Sequence, residues 1–151
     1  MEFKNVSQEY LPFELHPQLK KDTDRICSLG LSEVLLSKEL IGPWIILVPR
    51  VLDATEIFKL TNEQQQALLQ ESSIISKLLV SCFDAEKINI GAIGNMVPQL
   101  HIHHVARFKS DYIWPKPIWG NTNQKLRNNI EQQKFIALLN NHLKINSEYK
   151  A

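Results

Sequence analysis

From Gln99 to His103, polar and apolar side chains alternate in the run Gln99-Leu100-His101-Ile102-His103-His104-Val105. A period of two belongs to the β-strand, whose successive side chains point to opposite faces. The run is therefore expected as a strand with Gln99, His101 and His103 on one face and Leu100, Ile102 and His104 on the other. Three of the five histidines of the chain fall within four residues. An imidazole buried without a partner costs free energy. Two imidazoles and an amide along one strand face thus point to a shared polar ligand rather than to packing, while His104 is expected to fill the core.

The remaining pattern is mixed helix and strand, without internal repeats. His16-Pro17 opens a short surface helix to Thr23, since proline suits the first helical position. Apolar runs at Ile26 to Leu36 and Trp44 to Val48, parted by Gly42-Pro43, are expected as neighbouring antiparallel strands. Thr61-Asn62-Glu63-Gln64 has the form of a capping box, and Leu68, Ile75, Leu78, Leu79 and Cys82 recur behind it at helical spacing. Lys87 to Ile93 is expected to pair with the histidine strand, which runs to about Phe108, across a loop holding Gly94, Asn95 and Pro98. Trp114-Pro115-Lys116-Pro117-Ile118-Trp119-Gly120 cannot continue a ladder or helix, because each proline lacks a donor and restricts its predecessor. It is expected as a stiff extended segment over the surface, with Trp114 and Trp119 pinning it to the sheet or to a second subunit, or else reaching the pocket to cover the leaving group. Leu126, Ile130, Ala137 and Leu138 then indicate a C-terminal helix with Thr122 as N-cap.

Length and charge narrow the function. The 151 residues suit one domain that buries about two thirds of its unfolded surface. With 17 basic and 16 acidic residues, the net charge of +1 offers no broad field for nucleic acid or an anionic membrane. Cys27 and Cys82 lack the paired spacing of a zinc or redox motif and are read as reduced, small hydrophobes. No apolar stretch reaches the roughly 18 residues of a membrane span, and the segment from Met1, with Glu2 and Glu9, lacks a signal peptide's apolar region. A cytoplasmic protein is the expectation.

The order of elements and the histidine strand resemble the histidine triad (HIT) superfamily of nucleotide hydrolases and transferases, with its signature His-φ-His-φ-His-φ-φ, φ being hydrophobic. The resemblance covers roughly residues 14 to 110. It includes the strand end Ile46-Leu47-Val48-Pro49-Arg50, the helix start Leu60-Thr61 and the Gly94-Asn95 loop. Gln99 takes the place of the first histidine, His101 the central one and His103 the third, and His104 falls on a φ position. The chain is also similar to a bacterial HIT subgroup with glutamine first in the triad and a Trp-Pro-x-Pro-x-Trp-Gly tail.

The resemblance implies an α+β fold, an antiparallel sheet of about five strands with packed helices. It is expected as a single HIT-like domain over residues 1–151, with its core at about 14–110 and a C-terminal extension over 111–151, paired as a homodimer. It also implies that His101 attacks the α-phosphorus of a nucleotide, forming a nucleotidyl-imidazole that water resolves, with dinucleoside polyphosphates, diadenosine polyphosphates among them, as the favoured substrates. Catalytic roles fall on His101, His103 and Gln99, and phosphate contacts on Asn89 and Asn95. Ribose recognition falls on the loop from Leu36 to Ile41, where Glu39 and Ser37 are candidates. No integral cofactor is implied, although Mg2+ can accompany a polyphosphate.

Residue chemistry supports this independently. A neutral imidazole keeps one ring nitrogen free to attack while the other is anchored, and needs no activating base. His103, two residues on, lies about 6 to 7 Å along the strand, within reach of a phosphate oxygen or the leaving group. Gln99 departs from the pattern, since an amide orients neighbours but carries no proton through a cycle. Two alternatives stay open: a nucleotide-binding module without turnover, and a metal-dependent hydrolase with His101 and His103 as ligands. The latter needs a third ligand delivered from a distance, such as Asp111 or Glu86. Lys116 and Arg107 are further candidates for a polyphosphate tail, or else solvated surface charges.

Overall fold

The computed structural model describes residues 12–145. The acidic segment at Met1 to Glu9 lies outside them. Helix α1 (Pro17–Asp22) leads directly into β1 (Thr23–Ser28), followed by β2 (Ser32–Ser37), β3 (Trp44–Pro49), α2 (Asn62–Phe83), β4 (Lys87–Gly91), β5 (Ile102–Arg107) and α3 (Asn129–Ile145). The strands form one antiparallel sheet in the order β1-β2-β3-β5-β4. This is the five-stranded α+β architecture expected from the sequence. Among the described residues no helix is long and apolar enough to cross a membrane.

Alternation gives the sheet two different faces. Val34 and Leu36 of β2, Ile45 and Leu47 of β3, and Ile102 and Ala106 of β5 point to one side, where α2 supplies Leu68, Ile75, Leu78 and Leu79, and α3 supplies Leu139 and Leu143. Burial of each such Leu or Ile contributes about 1.5–3 kcal/mol. The N-terminus of α2 is fixed by a reciprocal capping box. The Thr61 hydroxyl accepts from the Gln64 amide, and the Gln64 side chain accepts from the Thr61 amide. The helix ends at Asp84 in a left-handed conformation, whose N–H closes on the Val80 carbonyl.

The other face is split. Leu35, Ile46 and Val48 pack with Leu19 of α1, Val97, and the half-buried Phe13, Leu15 and Trp44. Val105 packs with Ile41, Ile113, Ile118, Trp44 and Trp119. His103 pairs in register with Ile46 on one side and Gly91 on the other, which sets it between these two apolar clusters.

Four elements differ from their expectations. The run from Ile26 to Leu36 holds two strands, because the chain reverses between Ser28 and Ser32 in a turn closed by the Leu29 amide, which donates to the Ser32 carbonyl at 2.8 Å. The histidine strand begins at Ile102, so Gln99 and His101 precede the ladder; there the Leu100 amide leaves the sheet to donate to the Ala54 carbonyl. The tryptophan–proline segment is a series of turns rather than an extended strip. The Asp111 carboxylate accepts from the Ile113 and Trp114 amides and curls the chain before the prolines. Helix α3 starts at Asn129, where Asn128 rather than Thr122 accepts a first-turn amide, that of Glu131.

The apolar face of α3 is also rotated from the expected one. Gln132, Leu139 and Leu143 are buried, whereas Leu126, Ile130, Ala137 and Leu138 are exposed. Polar docking sets this rotation. Arg127 and Gln132 bond to each other and to the Ser37 carbonyl, and Gln132 reaches Asp24 at 3.1 Å. Leu126 is drawn instead into an antiparallel bridge with Glu39.

Candidate active site

The structure brings His101 and His103 together, with ring centroids 4.9 Å apart and the planes nearly perpendicular. Their hydrogen bonds assign opposite tautomers. His101 Nδ1 lies 2.7 Å from the Gln99 carbonyl oxygen, which only accepts, so Nδ1 carries the proton and Nε2 keeps its lone pair in the neutral ring. His103 Nδ1 lies 2.9 Å from Trp44 Nε1, whose N–H only donates, so Nδ1 accepts and the proton resides on Nε2. One ring therefore offers a nucleophilic nitrogen and its neighbour an N–H donor.

Electrostatics hold His103 in this state. Burial, reinforced by the neighbouring His101 and His104, lowers its pKa to about 3, so it is neutral throughout the physiological range. The Trp44 and Trp119 rings flank it at centroid distances of 5.4 and 5.6 Å. Trp119 can come this close because Gly91, the register partner of His103, has no side chain. A Cβ there would sit 3.3 Å from both Trp119 Cη2 and Ile93 Cδ1.

His104 points to the opposite face and is completely buried. Its Nδ1–H donates to the Ile102 carbonyl at 3.1 Å, and Nε2 accepts from the Ser72 hydroxyl of α2 at 2.7 Å. Burial lowers its pKa to about 4, against the opposing pull of its backbone contacts. It is the core histidine that the alternation predicted.

The amide residues are placed differently. The side chain of Gln99 faces the N-terminal segment, accepting from the His16 amide and donating to the Glu14 carbonyl, each at 2.9 Å. It contacts His101 through its backbone carbonyl. The Asn89 amide oxygen accepts from Arg107 Nη1 at 2.8 Å, and Asn95 is exposed on the loop after β4. Ser37 Oγ accepts from the Glu39 amide at 3.2 Å, and their loop is held to residues 125–127 by backbone hydrogen bonds.

Arg107 is neither a surface charge nor open to a phosphate. It is 1% exposed and forms a two-pronged pair with Asp111, at 2.8 Å from Nε and 3.1 Å from Nη2, with Trp114 stacked over it at 5.6 Å. Burial by itself raises the Asp111 pKa, but the hydrogen bonds and charge of Arg107 and the Phe108 and Trp114 amides outweigh it, and the net shift is downward. Asp111 is thus committed elsewhere than to a metal, and Glu86 accepts from the Lys109 amide. Among the described residues no group of three or more His, Cys, Asp or Glu side chains is placed to hold a metal ion.

A cleft of about 500 Å³ opens at Gln99, lined by residues 12–14 and His16, by residues 51–55 and by Pro98, with the His101 and His103 rings outside its wall. Sequence patterning placed His101, His103 and His104 correctly but missed three partners: Trp44 for His103, Asp111 for Arg107 and Trp119 over Gly91. Trp44 meets His103 through the pairing of β3 with β5, Asp111 reaches Arg107 through the turn after β5, and Trp119 reaches Gly91 through the turns that follow, none of which local periodicity reveals.

Comparison with known proteins accords with this geometry. The family model described as the HIT domain matches residues 18–110. The chain belongs to the HIT family. HIT proteins are in general nucleotide-binding hydrolases or transferases. Among solved HIT structures, the chain is similar to a histidine triad protein from Bradyrhizobium japonicum, with 43% identity and a TM-score of 0.83 over 86% of this chain and 97% of the other. A histidine triad protein from Marinobacter aquaeolei has 42% identity and a TM-score of 0.84 over 89% and 98%. A third, from Sinorhizobium meliloti, has 39% identity and a TM-score of 0.82 over 84% and 94%. The search of curated proteins finds no match. Trp119 and α3 lie beyond the HIT match but pack against its sheet.

Proposed function

We propose that the protein hydrolyses a nucleotide conjugate at its α-phosphorus, with His101 as nucleophile and a nucleoside monophosphate as product. The supporting observation is the pair of opposed tautomers. The His101 Nε2 lone pair forms a P–N bond as the bond from phosphorus to the leaving oxygen breaks, and the leaving group departs with that electron pair. The Gln99 carbonyl holds the Nδ1–H and stabilises the positive charge that develops on the ring. His103 Nε2–H donates to a phosphoryl or leaving-group oxygen. Water then attacks phosphorus and gives up a proton to solvent or to the departed anionic leaving group, the P–N bond returns its electrons to Nε2, and the monophosphate is released.

Dinucleoside polyphosphates, including diadenosine polyphosphates, are the favoured class, with other phosphoanhydrides, esters and phosphoramidates sharing the chemistry. Asn95 and Asn89 are assigned to phosphate contact, Asn89 through its amide nitrogen, since its oxygen is held by Arg107. Gln99 holds the nucleophile. The reaction draws on no resident metal, and Mg2+ enters with a polyphosphate substrate. The chain pairs as a homodimer in the cytoplasm, and membership of the Gln-first bacterial subgroup fits its sequence. Strand β4 supports the dimer, because it is an edge strand with Ile90 52% exposed, a surface that pairing with a second copy would cover.

A panel of adenosine and guanosine polyphosphates and phosphoramidates, scored for monophosphate release by the wild type and His101→Ala, tests the assignment. Turnover lost with AMP binding retained in His101→Ala is expected, and equal turnover in both proteins overturns it. Glutamine in place of the first histidine favours a second reading, a nucleotide-binding module, for which both proteins bind AMP and neither forms product.

A further inference from the structure

The segment from Pro12 to His16 crosses the site face of the sheet as a strap. Phe13 and Leu15 are half-buried against Leu35, Ile46 and Val48. A cleft opens on each side of it: one of about 500 Å³ reaching Gln99, and one of about 450 Å³ over β1 and β2, with Lys20, Arg25 and Glu33 in its wall. Phe13 and Glu14 line both, so the strap is the partition between them. A strap seated by two half-buried side chains is weakly held by apolar contact alone.

Gln99 supplies the polar attachment. Its amide oxygen accepts from the His16 amide and its amide nitrogen donates to the Glu14 carbonyl, two bonds spanning more than eighty residues of sequence. The carbonyl of the same residue receives the Nδ1–H of His101. Both contacts originate from one residue outside the β-ladder. Its peptide to Leu100 is held on the other side by the Leu100 amide's bond to the Ala54 carbonyl, so that the side chain is the second attachment of the residue bearing the orienting carbonyl. Displacing the strap thus removes the side-chain anchors of the residue that orients the nucleophile and leaves its peptide held from the Ala54 side.

We propose that Gln99 is a positioning residue that latches the 12–16 strap through its amide and thereby fixes the carbonyl orienting His101, so that strap closure and nucleophile alignment are coupled. The proposal rests on the hydrolase reading for its kinetic consequence but not for the latch itself. An amide carries one acceptor and one donor face without titrating. A neutral imidazole also carries one of each, which is why a histidine can serve in the same place.

The test uses the full chain as wild type, Gln99→Ala, Gln99→Glu, and Gln99→His at about pH 8, where an unperturbed imidazole is neutral. Hydrogen exchange at the His16 amide reports the latch, AMP affinity reports the cleft, and kcat and KM with a diadenosine polyphosphate report alignment. Gln99→Ala is expected to speed His16 exchange and weaken AMP binding by roughly tenfold each, the factor that about 1.4 kcal/mol of lost hydrogen bonding gives. It is also expected to raise KM and lower kcat. Gln99→Glu, which keeps the acceptor but sets a carboxylate against the Glu14 carbonyl, behaves like Gln99→Ala, and Gln99→His recovers most of the loss.

Exchange and affinity both within twofold of wild type in Gln99→Ala overturn the latch. Faster exchange with unchanged affinity and kcat overturns the coupling. A wild type that forms no monophosphate removes the hydrolase reading, while His16 exchange and AMP affinity still decide the latch.

Discussion

Acidification from about pH 7 to about pH 5 probes the burial of His103 and His104 without changing an atom of the wild-type chain. Near pH 7 both rings are mostly neutral in the folded and the unfolded protein. As the pH falls through about 6.5, the ordinary imidazole value, the unfolded chain takes up a proton at each position. The folded chain does not follow until its own values of about 3 for His103 and about 4 for His104 are approached. The unfolded state then binds more protons, so stability is greatest above the ordinary imidazole value and declines as the pH drops. Over this interval linkage gives a loss of about 2 kcal/mol for each ring, or about 4 kcal/mol together. That is a large share of a typical domain's roughly 5–15 kcal/mol. Urea unfolding at half-unit pH steps measures it, and the comparison with His104→Asn isolates one ring, because asparagine can bond to Ser72 but does not titrate. The wild-type loss should be roughly halved in the variant. A wild-type stability that stays level across the interval, or a variant with the full wild-type loss, refutes the assignment of these rings as buried and neutral.

Two further perturbations test the frame around the site. Arg107→Met leaves the Asp111 carboxylate without its cation and should cost about 3–5 kcal/mol in urea unfolding, whereas a surface arginine would cost little. A loss below 1 kcal/mol would contradict the buried pair. Leu139→Ala should cost about 2–5 kcal/mol, while Ile130→Ala should stay within about 0.5 kcal/mol. The reverse ranking in thermal or urea melts would show that α3 presents its other face to the sheet.

Legibility in the sequence followed the range of the forces involved. The capping box at Thr61, the apolar repeat of α2 and the in-and-out order of His101 to His104 are local patterns, and each appears in the structure as the residues suggest. The family resemblance supplied the architecture from the combination of these patterns. Hydrogen bonds between distant segments were not legible. The face of α3 is set by Arg127 and Gln132 seeking the Ser37 carbonyl, a preference that apolar periodicity overlooks. Arg107 and Asp111 are only four residues apart, but the turn that folds the carboxylate back onto the guanidinium has no periodic signature, so Arg107 reads as a surface charge. In the same way, alternation placed Gln99 beside the histidines, but the peptide leaves the strand there and the side chain turns to Glu14 and His16.

The most direct measurement of the central claim is chemical trapping of the covalent intermediate. The protein is mixed with an excess of diadenosine polyphosphate, quenched under conditions that preserve a phosphoramidate, digested and mapped by mass spectrometry. The account predicts an adenylyl adduct on the His101 imidazole that appears within the first turnovers and is absent from His101→Ala. Monophosphate released at an undiminished rate with no adduct at His101, or with the adduct on another side chain, would contradict it.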